Sequence, residues 1–176
     1  MKYLAFILFG LLLVSCGEEE PEETMDFEWT QENSTNLSIV ISAQEEIDIQ
    51  LYLEQRPDWD AIETGSGLRY YIYEHNEEAD TSIRPVPGNI AEIEYVVSLL
   101  DGTECYKTED DEYEELVVDN SEIESGVQEG LKKMNIGDRA KLIIPSHLGH
   151  GISGDLDKIP PMTILVIDIH LLGIIR

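Results

Sequence analysis

The strictest pattern in the sequence is a two-residue alternation near the carboxyl end of the chain. Between residues 165 and 171 every odd position is apolar, whereas the even positions include Asp168 and His170. The same alternation runs earlier in the chain, at Ala91, Ile93, Tyr95, Val97 and Leu99. Side chains of a strand point alternately to its two faces, so both segments are predicted as half-buried strands. Tyr95 is therefore expected to point toward the core.

A short amphipathic helix is predicted between these two strands. Ser125 and Gln128 have the spacing of a capping box, which favours a helix start at Ser125. Val127, Leu131 and Met134 then form one apolar stripe. So short a helix is unstable alone and is expected to pack on a sheet.

Three further strands are predicted at residues 68–73, 114–118 and 140–144. Turn residues connect the strands, and no second long helical pattern separates consecutive strands. The segments together predict an α+β fold, in which a curved, mostly antiparallel sheet wraps around one short helix.

The amino-terminal end has the features of an export signal. Lys2 precedes an apolar run over residues 4–14, which has the length of a signal-peptide core. The run ends in LVSC, which resembles the lipobox of bacterial lipoproteins and predicts a signal peptide at 1–15 and an acylated Cys16. The alternative is an ordinary signal boundary beside a chance cysteine. The acidic segment 16–36 is predicted as a solvated tether, so the protein is expected to be lipid-anchored in the envelope of a Gram-negative bacterium, periplasmic or surface-exposed.

Charge and cysteine content restrict the partners and cofactors of the chain. The formal net charge of −26 excludes nucleic acid as a partner. Cys105 is the only cysteine besides Cys16, so it is predicted as a free buried thiol without a disulfide. His147 and His150 have no third ligand nearby, and the acidic run 109–115 lacks calcium-loop spacing. No metal or other cofactor is therefore expected.

The segment 37–65 is predicted as a helical extension of a domain at 66–176. Within it, Ile47, Leu51 and Glu54 share one face of a helix that Pro57 ends. No internal repeat or flexible linker marks a second core, so one domain is predicted, and a monomer is expected.

Several motifs in the second half of the chain resemble those of FKBP-type peptidyl-prolyl isomerases. They are EIEYVVSLLDGT at 92–103, GVQEGLKKMNIGDRAKLIIPSHLGHG at 126–151 and IPPMTILVIDIHLL at 159–172. Their order and spacing extend the resemblance over residues 85–174. The resemblance implies isomerisation of proline-containing polypeptide clients in an apolar pocket, without a cofactor. Together with the predicted export, the resemblance implies a role in folding envelope or secreted proteins. A narrower resemblance, to gliding-motility-associated lipoprotein isomerases, implies a link to gliding motility.

The resemblance also implies a set of pocket residues. Those expected to be catalytic are Tyr95, Tyr106, His150 and Ile159. Those expected to bind substrate are Cys105, Ile123, Glu124, Val127 and Ile167. Tyr95 matches the inward tyrosine of the family, and Ile159 matches the apolar residue of the loop that overhangs the pocket.

Other pocket positions depart from the family pattern. Cys105-Tyr106 replaces a phenylalanine-aspartate pair, so a carboxylate is missing while Tyr106 restores an aromatic ring one place along. Val127 stands where the family usually has tryptophan, and Glu124 where an isoleucine offers its backbone N–H. The resemblance therefore implies an isomerase with a weakened pocket.

The residues leave several alternatives open. Ile167, which replaces a phenylalanine, and Val127 are equally consistent with ordinary core side chains. His150 replaces a tyrosine within LGHG, and it either donates a hydrogen bond as that tyrosine does or is a solvated loop residue. Besides an isomerase, the chain could be a non-catalytic FKBP-like chaperone or binding module of a surface machine, or a structural surface protein.

Overall fold

The computed structural model describes residues 31–78, 80, 83–120 and 123–176. The predicted signal peptide, Cys16 and most of the predicted tether lie outside these residues. The helices and strands are α1 (Gln31–Glu54), β1 (Ile62–Glu63), β2 (Arg69–Glu74), β3 (Ile90–Leu99), β4 (Glu104–Lys107), β5 (Glu114–Val117), α2 (Ser125–Leu131), β6 (Arg139–Ile144) and β7 (Leu165–Ile175). All strand pairs are antiparallel, in the order β1-β2-β6-β7-β3-β4, with β5 also paired to β3. The predicted α+β fold is confirmed.

The two alternating segments form β3 and β7, which are neighbours in the sheet. In their register Tyr95 lies opposite Ile169, and Val97 opposite Ile167. The odd positions of β3, and those of β7 as far as Leu171, join one hydrophobic cluster, which we call the inner cluster; Ile167 and Ile169 are fully buried in it and Tyr95 is partly buried. We call the side of the sheet that carries this cluster its inner face. The inward orientation predicted for Tyr95 is confirmed.

The helix α2 packs on the inner face. Val127, Leu131 and Met134 are all buried, which confirms the predicted stripe. A Cβ atom on Gly126 would lie 2.5 Å from Ile144 Cγ2, and one on Gly130 would lie 2.6 Å from a methyl of the β6 side chain Leu142. Because glycine has no such atom, α2 lies directly against β6.

The capping box predicted at the start of α2 is wrong. The N-cap residue is Glu124, and no side chain caps the helix. Gln128 is buried and turns toward the end of β5, where its Oε1 accepts a hydrogen bond from the Asp119 N–H at 2.7 Å. Its Nε2 donates to the Val117 and Asn120 carbonyl groups. Gln128 thus supplies partners to the partly buried backbone groups at the end of β5 instead of reaching back to the helix start.

The helix α1 begins at Gln31, inside the segment predicted as a tether, and ends at Glu54. Its buried side differs from the prediction: Ile47 and Leu51 are 54% and 52% exposed, and Glu54 is exposed as well. Ile49, at 1% exposure, takes their place in the interior. The stretch IDIQLYL at 47–53 has apolar residues on opposite sides of the helix, so local periodicity does not select the buried side.

The buried side of α1 packs on the outer face of the sheet. We call the cluster there the outer cluster; its buried members are Ile49, Ile143 and Ile164. Arg69 Nη2, from a side chain 4% exposed, lies 2.6 Å from Glu46 Oε2, and the Ser146 N–H donates to Glu45 Oε1. These polar contacts and the outer cluster together orient α1. No helix in the described part of the chain combines the length and apolarity needed to cross a bilayer.

Candidate functional site

A cavity of about 320 Å³ opens between α2, the inner face of the sheet and the segment that follows β6. Its floor is apolar and consists of Ile93, Val97, Leu116, Val127, Ile167 and Ile169. Its walls and mouth are formed by Tyr95, Tyr106, Glu114, Glu115, Ile123, Glu124, His150, Asp155 and Ile159. The cavity is thus apolar at its base and carries its polar groups near solvent.

The structure brings eight of the nine predicted site residues to this cavity. They are Tyr95, Tyr106, Ile123, Glu124, Val127, His150, Ile159 and Ile167. Val127 and Ile167 are also buried in the inner cluster, so they serve both as core side chains and as the cavity floor.

Cys105 is the predicted residue that does not line the cavity. The pairing of β3 with β4 shifts register next to it, because Val97 pairs with Tyr106 and Ser98 with Glu104. The extra residue of this bulge is Cys105, which lies in the core beside the Lys158 carbonyl. Burial raises the pKa of its thiol, and the predicted free buried cysteine is confirmed.

Tyr95 places a neutral hydroxyl on the cavity wall. Its Oη donates a hydrogen bond to Glu114 Oε1 at 2.9 Å. Burial, and then the Glu114 carboxylate, raise the pKa of Tyr95 to about 12. The hydroxyl therefore stays protonated at any physiological pH, and it is not a general base.

Tyr106 lines the cavity and is held by a carboxylate from a distant loop. Its Oη donates to Asp155 Oδ2 at 2.5 Å, and the Lys158 ammonium lies 4.6 Å from its ring centroid. The hydrogen bond to Asp155 raises the pKa of Tyr106 to about 12. The same bond lowers the pKa of Asp155 to about 2. Tyr106 stands where the family pattern has an aspartate. The carboxylate beside it comes instead from Asp155, in another part of the chain.

Asp155 also organises the loop that carries Ile159 over the cavity. Its Oδ1 accepts hydrogen bonds from the N–H groups of Asp157 at 2.9 Å and Ile159 at 2.8 Å. The Asp155 N–H in turn donates to the Ile159 carbonyl. Gly154, with φ +65°, makes this closure possible, since a Cβ there would lie 2.2 Å from the Ile159 carbonyl oxygen. Ile159 is 3% exposed as a result.

His150 is paired at the mouth of the cavity. Its Nε2 lies 2.8 Å from Glu124 Oε1, and each side chain is 26% exposed. His150 therefore contacts a carboxylate at the cavity mouth and is not a solvated loop residue. The ring contacts Glu124, the N-cap residue of α2, so two predicted site residues contact each other across the mouth.

Sequence reasoning missed three acidic residues of the cavity. The predicted strand at 114–118 is β5, which begins at Glu114, but its pattern does not indicate that Glu114 and Glu115 lie at the mouth of a cavity. Asp155 lies in the polar segment between two matched motifs. The one local signal for Asp155 is its position four residues before Ile159, which suits a side chain that accepts from the backbone of a turn.

The cavity suits an apolar ring and an adjoining amide rather than bond-breaking chemistry. Its described lining contains no serine, cysteine or lysine that could act as a nucleophile. Among the described residues, no group of three His, Cys, Asp or Glu side chains is arranged to hold a metal ion. What the cavity offers is apolar area, two neutral phenols and exclusion of water.

Comparison with known proteins agrees with this geometry. The sequence profile described as FKBP-type peptidyl-prolyl cis-trans isomerase matches residues 81–172. Human peptidyl-prolyl cis-trans isomerase FKBP9 is 32% identical over 105 residues, which cover 59% of this chain and 18% of that protein. The isomerase FkpA of Aeromonas hydrophila is 32% identical over 63% of this chain and 39% of its own length. The chain thus spans less than a fifth of the length of FKBP9.

Two more proteins are similar over most of the chain. The macrophage infectivity potentiator of Trypanosoma cruzi is 27% identical over 97% of this chain and 82% of its own length. The crystal structure of FkpA from Escherichia coli superimposes with a TM-score of 0.61 at 24% identity, covering 81% of this chain and 66% of that one. The latter similarity establishes a shared fold. With the profile match and the cavity between α2 and the sheet, these comparisons show that the chain belongs to the FKBP-type peptidyl-prolyl cis-trans isomerase family.

Proposed function

We propose that the protein is a peptidyl-prolyl cis-trans isomerase that acts on proline-containing polypeptides. The observation that carries the proposal is the apolar cavity walled by Tyr95, Tyr106 and Ile159, which lies within the segment matched by the family profile. The site-residue roles belong to the proposal: these three residues and His150 act on the prolyl bond. The floor residues Val127 and Ile167, together with Ile123 and Glu124, bind the substrate.

The proposed mechanism needs neither a base nor a metal. The peptide bond before proline rotates slowly because its partial double-bond character creates a barrier of about 18–20 kcal/mol. An apolar cavity that accepts the prolyl ring removes water from the amide, and amide resonance is lost in the twisted state. Ile159 covers the ring from above, while the tyrosine rings form the walls. Such a site accelerates rotation if it binds the twisted amide better than either planar form.

We expect weaker catalysis than in a fully aromatic pocket of this family. Val127 and Ile167 have smaller side chains than the tryptophan and phenylalanine usual at these positions, so contact area near the amide is lost. Macrolide inhibitors of such enzymes rely on more of the missing rings, so their binding should weaken more than catalysis does. Tight macrolide binding by this protein would contradict the weakened pocket.

A second candidate is a non-catalytic chaperone or binding module of the same fold. The observation that favours it is that Tyr95, Tyr106 and His150 already contact carboxylates of the chain itself. These polar groups are then less available to a substrate. A module of this kind would bind proline-containing peptides and prevent aggregation of unfolded clients without changing the rate of prolyl rotation.

The deciding experiment measures the cis-to-trans rate of a short proline peptide by exchange NMR, with the full chain in non-ionic detergent. Isomerisation above the spontaneous rate, together with faster refolding of a proline-limited client, supports the enzyme. Peptide binding with no change in either rate would instead support the binding module.

The proposal includes a place of action outside the cytoplasm. The LVSC boundary supports acylation of Cys16 and attachment of a monomer to the envelope through a tether, with clients among envelope or secreted proteins. Cys16→Ala should release the protein from membranes or block its processing. Failure of the unaltered protein to incorporate a fatty-acid analogue would contradict the proposed acylation of Cys16. A link to gliding motility rests on the sequence resemblance alone, and undisturbed spreading of a deletion strain would argue against it.

A further inference from the structure

The mouth of the cavity is strongly acidic. Four of its lining side chains are carboxylates: Glu114, Glu115, Glu124 and Asp155. Among the residues that the structure describes, the lining contains no lysine or arginine, and its basic side chain is the imidazole of His150. Because the floor beneath is apolar, a bound polypeptide would place its prolyl ring among uncharged groups and its flanking side chains among carboxylates.

The contacts within the mouth leave most of this negative charge uncompensated. Glu114 and Asp155 accept hydrogen bonds from tyrosine hydroxyls, which are neutral and do not cancel a charge. The Glu115 side chain is exposed and has no hydrogen-bond or ion-pair partner among the residues that the structure describes. Glu124 contacts the imidazole of His150, which also acts electrostatically on Asp155.

Lys158 lies next to the cavity wall but is engaged there by other groups. It donates to the Cys105 carbonyl at 2.8 Å, and its ammonium lies 4.6 Å from the centroid of the Tyr106 ring. Lys158 therefore offsets part of the charge near Asp155, but no described lysine or arginine forms an ion pair with Glu114 or Glu115 on the β5 side. The mouth as a whole presents negative potential to anything that enters.

We propose that this pocket selects prolines that are flanked by lysine or arginine and disfavours prolines flanked by aspartate or glutamate. The inference rests on the proposed isomerase function and adds its substrate class. A long cationic side chain next to the prolyl residue reaches the mouth while its methylene groups cover the apolar rim. Complementary charge at a cleft raises the rate of association, and like charge lowers it.

The test uses three peptides that differ only in the residue before proline: lysine, leucine or glutamate. Exchange NMR gives kcat/KM for each peptide with the full chain in non-ionic detergent, after subtraction of its spontaneous rate. At about 0.01 M salt we expect the lysine peptide to exceed the glutamate peptide by about tenfold or more, with the leucine peptide between. At about 1 M salt, where the Debye length is about 3 Å, the ratio should approach one.

Two variants separate the mouth from the overall charge of the chain. Glu115→Gln removes a carboxylate of the mouth, and Glu78→Gln removes the same charge from an exposed residue that does not line the cavity. The lysine-to-glutamate ratio should fall about twofold or more in Glu115→Gln and stay at the wild-type value in Glu78→Gln. An equal fall in both variants would overturn the proposal, because net charge would then explain the preference.

The outcomes also distinguish this inference from the function on which it rests. Equal turnover of the three peptides at low salt would overturn the selectivity and leave the isomerase intact. If no peptide is turned over, the isomerase proposal fails, and the affinities of the same peptides, measured from chemical-shift changes, decide the selectivity. Equal affinities for the lysine and glutamate peptides would then overturn it.

Discussion

The two faces of the sheet are built from the same strands, but α1 covers the outer face whereas the inner face keeps a cavity beside α2. Along β6, Leu142 and Ile144 point into the inner cluster, whereas Ile143 between them points into the outer cluster. On the outer face, α1 covers the strand through Ile49, and aromatic residues close the edges. On the inner face, α2 covers β6 but leaves the cavity open toward β3 and β5.

The closed outer face is held by stacked and charged groups. Trp59 lies 6.0 Å from the Tyr52 ring in an edge contact and 5.9 Å from the Tyr71 ring in a stacked one. The Arg56 guanidinium lies 3.5 Å from the Tyr52 ring centroid. These contacts brace the outer cluster, and the clefts that remain beside α1 are more open to solvent than the cavity on the inner face.

The open inner face follows from the small residues of α2. Gly126 and Gly130 let the short helix lie against β6, and a helix of Ser125–Leu131 does not extend over the rest of the sheet. The same alternating strands therefore form a packed core where a helix covers the sheet and a binding cavity where the helix leaves the sheet uncovered.

The largest expected effect comes from a matched pair of core truncations on the two faces. Ile167 and Ile143 are 3% and 1% exposed and lie on the neighbouring strands β7 and β6. Truncation of either to alanine should cost about 2–5 kcal/mol of unfolding free energy, measured by urea denaturation. At a temperature where both variants are folded, only Ile167→Ala should also lower kcat/KM. Equal kcat/KM values for the two would contradict the functional difference between the faces.

A smaller effect is expected where α2 joins β5. Gln128→Ala leaves the Asp119 N–H without its partner and should cost about 1–3 kcal/mol. Ser125→Ala should change stability by less than about 0.5 kcal/mol, since Ser125 caps nothing and donates only a 3.3 Å hydrogen bond to the Leu148 carbonyl. Chemical denaturation of both variants measures the difference. A larger loss in Ser125→Ala would favour the capping box instead.

The smallest effect concerns the loop over the cavity and appears at low pH. Because the pKa of Asp155 is lowered from 3.8 to about 2 in the folded protein, its carboxylate stabilises the fold above pH 3.8 and loses this contribution as the pH falls toward about 2. Asp155→Asn keeps an acceptor for the Ile159 N–H but removes the charge. The variant should be less stable than the unaltered protein at pH 6, and the difference should shrink at pH 2.

The control for this experiment follows the titration at a single residue of the loop, Ile159. NMR signals of Ile159 should titrate between about pH 4 and 2 in the unaltered protein but not in Asp155→Asn. A stability difference that is the same at both pH values would mean that the Asp155 charge does not hold the loop.

Local patterns predicted β2, β3, β5, β6, β7 and the stripe of α2, whereas most of the cavity residues were expected from the family motifs. Alternation is a property of a few consecutive residues, so Tyr95, Val97 and Ile167 could be assigned to one face without tertiary information. The family motifs added His150 and Ile159, since these lie at fixed positions within matched segments.

What the sequence could not predict depends on contacts between distant residues. The helix α1 has apolar residues on opposite sides. Which side is buried depends on its contacts with Ile143 and Arg69, which lie far from the helix in sequence. Gln128 and Asp155 likewise have partners that only the folded chain brings near. A polar side chain with several possible partners is ambiguous until the packing is known.

The central claim is that the cavity on the inner face is the site of prolyl isomerisation, and Tyr95→Ala tests it most directly. A buried aromatic side chain contributes about 1.5–3 kcal/mol, so loss of this ring from the site should lower kcat/KM by about tenfold to a hundredfold. Tyr95→Phe, which keeps the ring and loses only the hydrogen bond to Glu114, should retain most of the activity. Circular dichroism and urea denaturation must first show that Tyr95→Ala is folded with only a moderate loss of stability. A folded Tyr95→Ala protein that isomerises the proline peptide at the full wild-type rate would show that this cavity is not the active site.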